Sequence, residues 1–532
     1  MKTPQFPSRR SAVFARQGMV STSQPLAAMA GLRLLMAGGN AADAAIAVAA
    51  MLNVVEPMST GIGGDCFALV YEATTGGVTA LNGSGRAPAA FTLEEAQRRG
   101  LETIPLLGPL PVTVPGAASG WGALLERFGT MTLAECLAPA IATAEAGFPV
   151  SERISAGWQW MAEKLSRDEE ASRVYLPAPK VGEIHRQPDL ARTFRTVAEG
   201  GAEAFYHGPL AAKIAACVES HGGYLTADDL AAHTATWEAP IRTTYRDVEV
   251  LEHPPNGQGL AALVALNIVE GYDVGGMDYF DPARWHATIE AMRMGMADAA
   301  RYVADPAMAQ VPVAGLLSKG YAARRRTLIQ PGSTVELVAP GQPEHRDTVY
   351  LTVVDGQGNA VSFINSLYYG FGSGLVVPGT GICLQNRGAC FTLEPGHPNA
   401  LAGGKRPYHT IIPAMALREG RLWLSFGVMG GFMQPQGHLQ VLVNMVDYGL
   451  PPQAALDAPR FRVDERGGPR VAIETGVPLK TRKALAAIGH EIRPETTFSP
   501  GFGSGDIIAV DRESGVLCGG ADPRKDGCAV GF

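Results

Sequence analysis

Residues 344–363 read EHRDTVYLTVVDGQGNAVSF. Charged and polar residues give way at Asp347-Thr348 to two runs of alternating character, TVYLTVVD and NAVSFINSL, joined by Gly-Gln-Gly. Period-2 runs rich in β-branched residues around a glycine-bearing turn predict an antiparallel hairpin. With Gly356-Gln357-Gly358 as a three-residue loop, Asp355 faces Asn359 and Thr348 falls opposite Ser366 on the same sheet face. A two-residue loop would shift the register and set Asn365 there instead. On the residues alone, two hydroxyls meeting at a strand end are an ordinary cross-strand contact.

Outward from this hairpin the two sides of the chain differ in texture. Downstream, RLWLSFGV, RVAIE and DIIAVDR read as further strands, with one long helix over 434–447. Upstream, Pro25–Ala37 reads as a helix with proline in its first turn that ends at Gly38-Gly39, and Asn40 caps a second helix through Asn53. A glycine-rich turn, GIGGDCF at 61–67, leads into the strand FALVYEA. Residues 90–345 are mostly helical around the strand YRDVEVLEHPP. Helices before residue 345 and strands after it, with upstream strands needing partners, predict two sheets shared by both segments between helical layers.

Composition bounds the function. At 532 residues the chain exceeds a usual single domain, so two core-bearing parts or one large layered unit are expected. A formal charge of -7 provides no basic footprint, which argues against a nucleic-acid partner. The longest small apolar run, Ala41 to Val55, is too short to span a bilayer and is interrupted by Asp43, so it reads as a buried helix and no membrane partner is expected. The first eighteen residues hold no apolar segment of the secretory type, and the cytoplasm is the expected location. Seven cysteines without C-x-x-C spacing, and no H-E-x-x-H, argue against a disulfide framework and a zinc site; no metal and no cofactor are expected.

Three short constellations have both a chemical and an ordinary reading. GGNAADAA could cradle a phosphate, but it lacks the Lys-Ser/Thr of a P-loop and the G-x-G-x-x-G spacing, so it reads as a corner between helices. In GVMGGF, Gly430-Gly431 could aim two backbone N–H groups at one oxygen, or simply turn a strand into a helix. Arg86 in NGSGRAP could hold a carboxylate or sit at the surface.

Taken together, GMVSTSQPLAAMAGLRLLMAGGNAADAAIAV, GIGGDCFALVY, VTVPGAASGW, GGYLTADDLAAHTATWEAPI, TVYLTVVDGQGNAVS, Lys405-Arg406-Pro407, VMGG, VDYGLPPQAALDAPRFR and GGADPRKDG occur in an order that resembles the γ-glutamyltransferase family of N-terminal nucleophile hydrolases almost end to end. The resemblance implies an α+β fold, a four-layer αββα sandwich. It also implies a precursor that cuts itself between Asp347 and Thr348 into a large subunit, residues 1–347, and a small catalytic subunit, residues 348–532. Thr348 would be the nucleophile, Ser366 its hydroxyl neighbour, and Gly430 and Gly431 the oxyanion donors. A homodimer of processed heterodimers stays open.

The pocket departs from the glutamyl pattern. Ser84 and Gly85 stand where such members usually carry an Arg-Glu pair, and Cys390 stands where an acidic residue receives the substrate's α-ammonium. His409 and Thr410 replace paired serines, Tyr368 replaces an asparagine, and the loop from Phe391 to Lys405 is short. Without its carboxylate partner a bound ammonium would be a desolvated, unpaired cation. A substrate without an α-amino group fits better. NGSGRAP, NRG and RPYHT together resemble the branch of the family that includes oxamate amidohydrolase and glutathione-hydrolase-like proteins. That resemblance implies a small carboxylate-bearing amide such as oxamate, held by Arg86 or Arg387 with Tyr368, His409 and Thr410. The alternatives are γ-glutamyl compounds, cephalosporin-type acyl amides, or an uncut relative that only binds a metabolite.

Overall fold

The computed structural model describes residues 6–8, 10–336 and 348–532; Asp347, on one side of the expected cleavage point, lies outside them. The hairpin forms with the three-residue loop. Asp355 N–H donates to the Asn359 carbonyl at 3.0 Å and Gly358 N–H to the Asp355 carbonyl at 3.0 Å, with Gly358 at φ +85°, a conformation glycine reaches without strain. The register pairs Val349 with Asn365, so one step further Thr348 stands opposite Ser366. The Asp355 carboxylate also accepts from Ala41 N–H at 3.1 Å, tying the loop to the start of the helix Ala41–Val55.

This hairpin lies in the middle of a seven-stranded sheet ordered Cys528–Gly531, Gly18–Thr22, Val349–Asp355, Ala360–Ser366, Asp65–Glu72, Gly77–Gly83, Thr236–Glu238. A second seven-stranded sheet runs Val13–Ala15, Leu517–Ala521, Ser504–Val510, Arg421–Met429, Ala414–Arg418, Val248–Glu252, Ile241–Tyr245. Both sheets take strands from either side of residue 347.

Alternation along Val349–Asp355 sorts its side chains between two cores. Val349, Leu351 and Val353 join the helix Ala41–Val55 and its neighbours, whereas Tyr350 packs with Met429, and Val354 with Leu251 and Ile508, of the facing sheet. The outer face of that second sheet is covered by the helices Gly259–Val269, Pro282–Tyr302 and Gln434–Val446. The layer order is helices, sheet, sheet, helices, the αββα sandwich expected from the sequence.

The helix Ala41–Val55 is buried along its whole length. Its one acid, Asp43, is satisfied in that position: it accepts from Asn40 N–H in a capping box, from Thr130 N–H and Oγ1, and from Met131 N–H. Among the described residues no helix is long and apolar enough to cross a membrane.

Candidate active site

Thr348 is buried directly ahead of its strand. Its hydroxyl lies 3.1 Å from Ser366 Oγ, which in turn accepts the Tyr368 N–H at 2.8 Å. By the two-residue period Thr348 shares the inter-sheet face with Tyr350 and Thr352. Thr352 Oγ1 donates to Ser425 Oγ at 2.6 Å, and Tyr350 lies against Gly427, where any Cβ would overlap its ring. Two residues back on one strand correspond to two residues forward on the other, so the same progression carries Thr348 towards Met429 and Gly430.

There the strand Arg421–Met429 ends. Gly430 and Gly431 have φ of +118° and +60°, backbone conformations that side-chain-bearing residues rarely adopt. The turn is held from several directions. Gln258 Nε2 donates to the Gly431 carbonyl at 2.9 Å and to the Thr410 carbonyl at 2.6 Å, while its Oε1 accepts from Tyr408 Oη at 2.9 Å. Just upstream, Val428 N–H donates to His438 Nε2 at 3.1 Å, so the imidazole proton sits on Nδ1 and is donated to Glu252 at 2.7 Å. Such support fixes peptide orientation, the condition for two N–H groups to meet one oxyanion.

A lysine reaches the same residue from the far end of the chain. Lys525 Nζ donates to the Thr348 carbonyl at 3.1 Å and to Ser59 Oγ at 3.4 Å, and forms an ion pair with Glu56. Glu56, at the end of the helix Ala41–Val55, also accepts from Ser23 Oγ and Ser59 Oγ at 2.6 and 2.8 Å.

Two residues past Ser366 stands Tyr368, whose φ of +80° is unusual for a bulky residue. Its ring lies beneath the Arg387 guanidinium, 4.3 Å from carbon to centroid, and Arg387 Nη1 donates to Thr410 Oγ1 at 2.8 Å. Arg387 is completely buried, yet among the described residues its Nε and Nη2 have no hydrogen-bond partner. Cys390 Sγ is 4.0 Å from Nη1.

Asp65 stands opposite Ser366 in the strand register. Its carboxylate accepts from Gly85 N–H, Gly116 N–H, Gln385 Nε2 and His409 Nε2 at 2.9 to 3.2 Å. Burial raises its pKa, with Arg387 and the hydrogen bonds from Gln385 and Gly85 opposing. Burial, reinforced by Arg387, pulls His409 far below the usual histidine range, so its ring is neutral. His409 Nδ1 accepts from Ile411 N–H, which leaves the Nε2 proton for Asp65. In the turn before Asp65, a Cβ on Gly64 would run into the Ser366 carbonyl, so glycine is what lets that turn approach the hydroxyl pair.

The structure thus gathers Thr348, Ser366, Tyr368, Arg387, Thr410 and His409 into one chain of contacts with Asp65. Arg86 is differently engaged: one-third exposed, it pairs with Asp305 at 3.4 Å and donates to the Gly404 carbonyl at 3.2 Å. Asp65, Gln258, Lys525 and Glu56 do not stand out in the sequence as site residues. Asp65 and Lys525 lie inside the segments GIGGDCF and GGADPRKDG, where a charged residue among glycines is the available signal.

Outside this region His286, Glu290 and His490 bring ligand atoms within 4.8 Å of one another. His286 Nδ1 and His490 Nε2 share a hydrogen bond of 2.8 Å, and Glu290 is already bound by Arg293 at 2.6 Å and Val335 N–H at 3.0 Å. Burial keeps His490 well below the ordinary histidine pKa. A fixed, buried guanidinium beside the only carboxylate of the set disfavours a second cation there.

His233 adds a pH signature near Asp65. Among the described residues both ring nitrogens lack partners, and burial, helped by Arg406 and opposed by Asp65, pulls its pKa down to about 4. The folded state resists a proton that the unfolded chain accepts below about pH 6.5, so this contribution is present above that pH and lost as the pH falls towards 4. In urea melts, the stability difference between His233→Leu and wild type is expected to move by about 2 kcal/mol in the variant's favour between pH 7 and 4.5. A difference that stays constant with pH would refute this.

The gamma-glutamyltranspeptidase family profile matches residues 27–532. The glutathione hydrolase-like YwrD proenzyme of Bacillus subtilis (strain 168) is 38% identical over 98% of this chain and 99% of its own length. The oxamate amidohydrolase proenzyme of Klebsiella pneumoniae is 35% identical over 97% and 98%. The solved structure of cephalosporin acylase from Bacillus halodurans superposes with a TM-score of 0.93 at 48% identity, covering 100% of this chain and 99% of that one. The sandwich, the hairpin and these matches agree: the chain belongs to the gamma-glutamyltranspeptidase family and has the fold of the N-terminal nucleophile hydrolases.

Proposed function

We propose that this protein is a self-cleaving amidohydrolase whose substrate is a small amide with a carboxylate on its acyl part, oxamate being the simplest. Cleavage between Asp347 and Thr348 would yield chains 1–347 and 348–532 and free the Thr348 α-amine. A threonine hydroxyl is a weak nucleophile, but a free α-amine, which ordinarily titrates at about 7.7–8.0, takes its proton near neutral pH, which an amide nitrogen cannot do. Thr348 Oγ1 then attacks the amide carbon, and the oxyanion is received by the N–H groups of Gly430 and Gly431. The proton passes to the leaving nitrogen, ammonia departs, and water hydrolyses the resulting ester.

The observation that carries the substrate reading is the buried Arg387 with two unpartnered nitrogens, Nε and Nη2. A guanidinium can present those two nitrogens side by side to a carboxylate, the geometry of a bidentate pair. Thr410 and Tyr368 flank it. Asp65 has both oxygens engaged by four donors, and His409 spends its proton on Asp65, so neither is offered to an ammonium or a carboxylate of the substrate.

Ammonia release from oxamate, set beside chromophore release from a γ-glutamyl anilide, tests this reading. Oxamate is expected to be favoured in kcat/KM by about a hundredfold, the order of the cost of burying an ammonium without a counter-charge. Rapid release from the anilide alone would transfer the assignment to γ-glutamyl compounds.

A further inference from the structure

We propose that Lys525 is the positioning residue of the nucleophile: anchored by Glu56 and Ser59, it clamps the Thr348 carbonyl and sets a positive charge beside the amine that cleavage would free. This rests on the reading of Thr348 as an N-terminal nucleophile.

Thr348 is one residue outside the regular strand, so the ladder that holds Val349 onward does not itself fix the first peptide. Side-chain contact to Ser366 constrains the hydroxyl, and the Lys525 contact constrains the carbonyl. With both held, rotation about the Thr348 backbone is limited, and the α-nitrogen keeps one position relative to Oγ1. A base and a nucleophile on the same residue need that fixed relation, because a misplacement of about 1 Å can cost about a hundredfold in rate. Lys525 is itself immobilised: Glu56 is buried and carries two further hydroxyl donors, Ser23 and Ser59. Met58 and Ser59 also accept backbone N–H groups of Phe371 and Leu367, so the anchor is continuous with the loop that follows Ser366.

The charge has a second effect. Among the described residues, the charged and titratable groups around this end of the strand include Lys525 and Glu56, Arg10 on the Lys525 carbonyl, Asp65 in register with Ser366, His409 on Asp65, Arg387 over Tyr368, and Asp506 on the facing sheet. Of these, Lys525 donates directly to the Thr348 carbonyl. A cation there disfavours protonation of the α-amine, which keeps more of it in the basic form at neutral pH. Glu56 acts in the opposite sense, so removing Lys525 alone leaves an uncompensated carboxylate and shifts the amine further towards protonation.

Three variants separate these roles: Lys525→Met, Lys525→Arg, and Lys525→Met with Glu56→Gln, the last leaving no buried charge unpaired. The time course of cleavage is followed by intact mass, and the pH profile of kcat and kcat/KM is measured on the cleaved protein. In the double variant, cleavage is expected to slow and kcat to fall by about tenfold or more with KM changed less than about threefold. The acid limb of kcat/KM is expected to move to higher pH, while the unfolding midpoint stays near that of wild type. Lys525→Arg is expected to restore cleavage and most of kcat, since a guanidinium keeps both the donor and the charge. A purely structural role would lower the unfolding midpoint without moving the acid limb. Wild-type kcat and an unmoved acid limb in the double variant would overturn the proposal while leaving Thr348 as nucleophile intact. A wild-type protein that never cleaves overturns both together.

Discussion

Thr348→Ala protein is expected to remain a single uncut chain and to lose activity by about 10⁴-fold or more, the scale seen when a covalent nucleophile is deleted. Wild-type protein under the same conditions is expected to separate, in denatured intact-mass measurement, into residues 1–347 and 348–532. The physical ground is the position of the hydroxyl: buried on the inter-sheet face, 3.1 Å from Ser366 Oγ, at the end where the glycine turn lies. Alanine keeps the backbone and removes only the attacking oxygen, so the fold and unfolding midpoint should be little changed. Thr348→Ser retains an oxygen and is expected to cleave, more slowly, because serine lacks the methyl that restricts χ1. Cleavage of Thr348→Ala at the wild-type rate would mean that another group cuts the chain. No cleavage in either protein would favour the uncut, metabolite-binding relative.

Replacing Arg387 by methionine should have the next largest effect. For a carboxylate-bearing amide, kcat/KM is expected to fall by about 10²–10³, which corresponds to losing about 3–4 kcal/mol of a buried, charge-assisted pair. Hydrolysis of a neutral amide of similar size should barely change, because it never met the guanidinium. Lysine is expected to rescue poorly: an ammonium supplies a point charge, and the paired nitrogens that match a carboxylate are gone. Stability should be maintained in Arg387→Met, since the variant removes a buried cation with two unpartnered nitrogens. The contrasting variant is Arg86→Ala, expected to alter KM by less than about threefold, as that side chain is one-third exposed and already pairs with Asp305. Unchanged KM in Arg387→Met together with a tenfold rise in Arg86→Ala would assign the carboxylate to Arg86.

These two residues differ in how far the sequence reveals them. Thr348 announces itself through the break from charged residues to an alternating run, and its partner Ser366 follows from counting across Gly356-Gln357-Gly358, once the turn length is known. Arg86 and Arg387 look equivalent as isolated arginines near glycines, because a guanidinium's partners are set by residues far away in the chain. Arg86 finds Asp305, and Arg387 finds Thr410 and Tyr368. His409 likewise reads as a carboxylate donor until its Nε2 is seen on Asp65, which precedes it by over three hundred residues. RVAIE is legible as a strand, yet it lies in a separate three-stranded sheet between Phe461–Val463 and Glu491–Glu495 rather than in the sandwich. Period and composition identify a strand without saying which edge receives it.

By itself the sequence determined the elements and their order: the capped, wholly buried helix after Asn40, the hairpin beginning at Thr348, the glycine turn closing the strand before residue 430, and a distribution of helices and strands that a two-sheet sandwich satisfies. These depend on local terms, namely side-chain period, capping and the backbone freedom of glycine, and each acts over a few residues. Only the tertiary structure decided the length of the hairpin loop, the arginine left with open donors, the neutral His409 on Asp65, and the reach of Lys525 back to Thr348. Those outcomes depend on desolvation and on hydrogen bonds between segments hundreds of residues apart, quantities that exist only once the layers have packed and water has left the space between them.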